Sequence, residues 1–177
     1  MARQRTKELS TGEWAVLALL AEEPSHGFAL AKALAPDGTI GRIWTLPRPL
    51  VYRALEILQG FDLIRPRRTE PGNGPRRTIL VTTARGKRMV AEWLQAPVEH
   101  VRDARSLLML KLVYLDRSGV DPAPLLRTQR VALKEVEQAL RRSERAAEGF
   151  EHTLTLWRLE STRALIRFID AVSKRAQ

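Results

Sequence analysis

The chain contains no cysteine, which excludes a disulfide framework, a thiolate metal site and a cysteine nucleophile, and suits a reducing compartment. Histidine is nearly as scarce. His26, His100 and His152 stand far apart, and neither an HExxH nor an H-x-E spacing occurs, so no metal centre is expected. Long hydrophobic runs are missing too. The two longest, Trp14 to Ala21 and Leu107 to Leu115 with Lys111 inside it, fall far short of the ~20 residues that a bilayer span needs. No small-residue cleavage site follows the first of them, and the expectation is a soluble, cytoplasmic protein without membrane contact. A phosphate-binding loop is also lacking, because Gly72-Asn73-Gly74 lies in a turn signal between two strand-like runs instead of between a strand and a helix. Neither an enzyme nor a bound cofactor is expected.

What the chain has is positive charge, unevenly spread. Its 177 residues carry a formal net charge of +10, and Arg48 to Arg88 holds ten basic residues against three acidic ones. Residues 1–46 balance, although Arg3, Arg5 and Lys7 give the N-terminus a basic arm. A polyanion is the natural partner, and each phosphate neutralised on duplex DNA adds about −0.9 to the salt slope of binding.

The basic segment has a definite layout. Pro49 suits the first turn of a helix, and at 100° per residue Leu50, Val51, Ala54, Leu55, Ile57 and Leu58 fall on one side of it. Tyr52, Arg53, Glu56 and Gln59 fall on the other, with Arg48 at the start. Gly60 is read as the residue that ends this helix. Leu63 to Thr69 reads as a strand carrying Arg65, Arg67 and Arg68, and Arg76 to Thr82 as its return, around the turn signal Glu70 to Pro75. A helix with a free basic face followed by an arginine-bearing hairpin is a DNA reader with a wing.

The flanking segments complete the unit. Ser10-Thr11-Gly12-Glu13 has capping-box spacing before the apolar stretch Trp14 to Ala21. Ser25 is read as the cap of a second helix, His26 to Ala35, with Phe28, Ala31 and Leu34 toward the core. Thr83 caps a fourth helix, Ala84 to Ala96, whose apolar stripe includes Trp93. The predicted fold is mainly α: a winged helix-turn-helix domain over residues 1–97 and a helical dimerisation domain over 98–177.

In the second domain, Asp103 to Leu115 reads as a short apolar helix, and Asp121-Pro122 opens a long helical stretch with no proline after Pro124. Leu126, Leu133, Leu140, Ala147, Leu154, Ser161 and Phe168 recur every seven residues. Gln129, Val136, Ser143, Phe150, Trp157, Ala164 and Ala171 interleave with them. This stripe is read as a dimer surface on two helices split near Gly149, since glycine costs about 1 kcal/mol in a helix interior. An intramolecular helical hairpin is the alternative.

Four strings resemble the PadR family of transcriptional regulators. PLVYRALEILQGFDLI, from Pro49 to Ile64, is similar to the family's recognition helix, and SHGFALAKAL, from Ser25 to Leu34, to its second helix. RRTILVTTARG, from Arg76 to Gly86, resembles the returning wing strand and the next helix start, and Leu107 to Leu115 the family's apolar lysine-containing helix. The resemblance implies a winged-helix homodimer that represses transcription at a palindromic operator in double-stranded DNA. It matches Tyr52 to the recognition-helix tyrosine and Arg76 and Arg77 to basic wing residues. The DNA-binding candidates are then Arg48, Tyr52, Arg53, Arg67, Arg68, Arg76 and Arg77. The resemblance also implies a small aromatic effector, for which Trp93 and Trp157 are the candidate contacts. A winged-helix module that docks on a protein without specific DNA binding is the competing reading.

Overall fold

A computed structural model describes residues 9–72 and 74–175. Its helices, together with one two-stranded sheet, form two compact units that divide between Trp93 and Leu94. No helix of the described residues is long and apolar enough to cross a membrane, and no cluster of metal-ligating side chains occurs among them.

The first unit is built around α1 (Thr11–Glu22), in which Ala15 to Leu20 are all buried. Its start is the expected capping box: Ser10 Oγ accepts from the Glu13 N–H at 3.3 Å, and the Glu13 carboxylate accepts from the Ser10 N–H at 2.7 Å. α3 (Arg48–Gly60) packs on α1 and on α2 (Gly27–Ala33) through Val51, Ala54, Leu55 and Leu58. Leu50 departs from the expected core face and is 46% exposed at the amino end of α3.

α2 corrects two expectations. Ser25 is not its cap: the Ser25 N–H donates to the Leu80 carbonyl at 3.1 Å and the Ser25 carbonyl accepts from the Leu80 N–H at 2.8 Å. That extended pairing shifts the cap to His26, whose Nδ1 accepts from the Ala29 N–H at 3.2 Å. Nor does Phe28 face the core; it is half exposed. The buried arc of α2 runs through Leu30, Ala31 and Leu34, and at 100° per residue Phe28 lies roughly 110° from its middle.

β1 (Ile64–Gly72) and β2 (Gly74–Thr82) pair antiparallel from Ile64 opposite Thr82 outward, with a register shift between Pro66 and Arg68. Such a bulge sharpens the twist of an exposed two-stranded ribbon. The chain turns from α3 into β1 through Asp62, whose φ of +55° is the left-handed residue that Gly60 was read to be. Gly60 itself stays helical, and aspartate tolerates the left-handed region better than most residues. α4 (Ala84–Gln95) starts as expected at Thr83, whose Oγ1 accepts from the Gly86 N–H and donates to the Asp62 carbonyl at 2.8 Å.

The second unit begins four residues before the 97/98 boundary read from the sequence, and side chains further along explain why. Lys111 Nζ donates to the Ala96 carbonyl at 2.6 Å, and Gln129, 1% exposed, pairs with both backbone polar groups of Val98 at 2.6 and 3.0 Å. The expected single helix from Asp103 is instead a 3-10 turn (Val101–Asp103), a π turn (Ala104–Leu108) and α5 (Met109–Arg117).

α6 (Ala123–Glu144) and α7 (Gly149–Arg175) then form an antiparallel hairpin, with Leu126 and Leu133 packed on Ile169 and Ile166. The split falls at Gly149, which has a φ of +56°. The seven-residue stripe divides between the two helices. On α6 its Leu126, Gln129 and Leu133 are core, so the intramolecular hairpin holds there. On α7 the buried residues are Thr155, Leu159, Thr162, Ile166 and Ile169, and at 100° per residue these lie opposite the stripe. Phe150 and Trp157 on that stripe are 76% and 71% exposed.

Candidate nucleic-acid interface

Pro47 ends an extended approach to α3 and Pro49 lies in its first turn, so Arg48 is delivered at the helix's amino end without a side-chain cap. Its guanidinium carbon lies 5.4 Å from the Phe28 ring centroid and 5.7 Å from that of Tyr52, one helical turn on. Both distances fit cation–π attraction. The Tyr52 ring rests directly against α2: a Cβ on Gly27 would come within 2.8 Å of it.

These groups form one wall of a cleft of about 630 Å³ between α2, α3 and the ribbon. Glu56 and Gln59 extend the α3 wall, and Pro66, Arg77 and Thr78 form the other. Arg53 is on a different flank of α3, with Leu50 and Trp44. The structure therefore joins Arg48, Tyr52 and Arg77 around one opening and sets Arg53 apart. Arg67 and Arg68 are exposed on β1, where Arg68 lies opposite Ile79 of β2 and Arg67 falls at the register shift. The Arg76 side chain, like the arm Arg3, Arg5 and Lys7, lies outside the described residues.

Phe28 is the residue of this site that sequence reading missed. Its aromatic character and proximity to Gly27 carried no signal, because an apolar residue in a short helix reads as core. Glu56 and Gln59 were placed on the correct face, without a role. Carboxylate and amide side chains pair in the major groove with cytosine and adenine, as arginine does with guanine.

The two tryptophans have separate settings. Trp93 is buried in the first unit, stacked on Trp14 with centroids 4.8 Å apart and planes 7° from parallel. Trp157 lines a groove of about 650 Å³ in the second unit, with Val136, Leu140, Leu154, His100 and Arg158.

Three helices, a basic ribbon and a helix whose polar face opens beside it make a winged-helix arrangement. Residues 16–92 match the sequence profile of the Transcriptional regulator PadR-like family. That match covers most of the first unit and under half of the chain. A Mycobacterium tuberculosis protein named as a probable transcriptional regulator is 25% identical over 126 residues. The alignment covers 68% of this chain and 66%, just under two thirds, of that protein. Among solved structures, Bacillus subtilis PadR in complex with operator DNA is 23% identical, with 90% of this chain and 96% of that chain covered and a TM-score of 0.43. The PadR-like transcriptional regulator BC1756 of Bacillus cereus is 16% identical, with coverage of 97% and 99% and a TM-score of 0.43.

Proposed function

We propose that this regulator is a homodimeric repressor that places two copies of α3 in successive major grooves of a palindromic operator, about 34 Å apart. The observation that carries the reading is the convergence of Arg48 and Tyr52 from α3 with Arg77 from the ribbon around one open cleft. Arg48 reads a base edge, Tyr52 offers its hydroxyl to a phosphate, and Arg67, Arg68, Arg76 and Arg77 bind the backbone. Arg53, on the other flank, is assigned a backbone contact as well. The apolar stripe of α7, exposed at Phe150 and Trp157, supports self-association through the second unit. Trp157 in its apolar groove supports a small aromatic effector there; the burial of Trp93 against Trp14 supports a packing role for that residue.

The test is titration of a fluorescent duplex carrying the DNA upstream of the protein's own gene, against unrelated duplex, at two salt concentrations. The upstream duplex is expected to bind more tightly. Arg67→Ala, Arg68→Ala and Arg77→Ala are each expected to weaken both duplexes and to flatten the salt slope by about one unit. Equal, weak binding to both duplexes that vanishes at physiological salt would instead mark the ribbon as a protein-docking surface.

A further inference from the structure

Arg48 is fully outside the core, on a side chain with four rotatable bonds, yet two rings lie within reach of its guanidinium. One ring belongs to its own helix: Tyr52, at i+4, is its neighbour on the α3 surface. The other comes from α2, where Phe28 stays half exposed although a phenylalanine in a compact domain would ordinarily be buried. Gly27 completes the arrangement, because only a residue without Cβ lets the Tyr52 ring lie flush against the amino end of α2.

A free arginine loses side-chain entropy when it docks on a base edge, and one already held by ring contacts loses less. The in-plane N–H groups of a guanidinium are the ones that bind O6 and N7 of guanine as a pair. From these contacts we infer that Phe28, Tyr52 and Gly27 are positioning residues that hold Arg48 as the guanine-reading residue of each half-site. Specificity at that one base pair is therefore set jointly by α2 and α3. This rests on the DNA-binding reading given above and adds to it which base is read, by which side chain, and what keeps that side chain in place.

The experiment is selection from a randomised duplex pool by the full-length chain, followed by affinity measurements on the selected duplex and on its single-base variants. The wild-type chain is expected to enrich a guanine at one position of each half-site. Arg48→Ala is expected to lower discrimination at that position alone by about ten-fold, the range of one bidentate contact. Phe28→Ala should lower it about two- to five-fold, as loss of an exposed cation–π contact does, and Phe28→Tyr should restore it. Gly27→Ala, which displaces the far end of the Tyr52 ring and leaves the backbone in place, should weaken the same position with an unchanged melting temperature. A second readout needs no DNA. The Arg48 Nε–H proton resonance should be shifted upfield by ring currents, and the shift should shrink in Phe28→Ala and in Gly27→Ala.

Undiminished discrimination for the selected guanine in Phe28→Ala, or an even loss of preference across all positions, overturns the inference and leaves the DNA-binding reading standing. An unshifted Arg48 resonance also overturns it. A wild-type chain that binds no duplex and enriches nothing overturns both.

Discussion

Arg163 of α7 donates from Nε to the Glu137 carboxylate of α6 at 3.3 Å, across the hairpin. Lys134 and Arg141 approach the same carboxylate at 3.0 and 2.7 Å, and its side chain is 6% exposed. The Lys134 hydrogen bond contributes most, against an opposing effect of burial, and with Arg163 and Arg141 it holds Glu137 down at about 2 from 4.5. A carboxylate lowered in the folded state stabilises fully above its unfolded pKa and loses that contribution as pH falls through the folded one. The difference in unfolding free energy between wild type and Glu137→Gln should be constant from neutral pH to about 4.5, then shrink toward about 2. Denaturant melts at half-unit pH steps check this, and a difference that persists undiminished to pH 2 rejects it.

Lys111 gives a trend of the same sign, rising with pH, in the alkaline range. It is buried beside the Ala96 carbonyl, and burial lowers it from 10.5 to about 8. Between those values the unfolded chain still holds a proton that the folded chain has released, so this group makes stability rise with pH. Measured against Lys111→Met, wild type should gain stability between about pH 8 and 10.5. A flat difference across that window rejects the assignment.

The exposed stripe of α7 can be tested without DNA. Phe150→Ser with Trp157→Glu should convert a dimer to a monomer in sedimentation at micromolar concentration. Helix content should be retained, because neither side chain is in the α6–α7 core. An unchanged mass would move the self-association surface elsewhere.

Two glycines should answer oppositely to alanine. A Cβ at Gly86 would sit 2.2 Å from the Leu63 carbonyl oxygen, where backbone must move, so Gly86→Ala should destabilise by about 1–3 kcal/mol. Gly60 is helical with nothing within 4 Å of its Cβ position, and Gly60→Ala should be neutral or stabilising by up to about 1 kcal/mol. Thermal melts of the pair decide the matter.

Local rules were legible in the sequence where one short-range interaction decides the conformation. Ser10 with Glu13, Thr83 with Gly86 and the Gly149 split are of this kind, and so is the polar face of α3. Tertiary competition was not legible. Ser25 has a capping hydroxyl, but pairing with Leu80 claims its backbone. Phe28 has core chemistry, but a seven-residue helix gives too few turns for periodicity to say which side it faces. In α7 two apolar faces share one sequence, and a seven-residue repeat selects the exposed one because the buried one uses threonines. At the candidate site, residue types on α3 were readable, whereas the partnership of Arg48 with a ring on another helix was not.

The Ser25–Leu80 rung joins the inner end of the ribbon to the strand of chain that runs directly into α2. Only His26 and Gly27 separate this rung from Phe28. On the proposed function, a pull on the ribbon reaches the backbone of Phe28 through this rung and the three peptide bonds from Ser25. That reading makes grip and scrutiny share a lever, and a duplex whose groove width strains the ribbon would be penalised in sequence readout too.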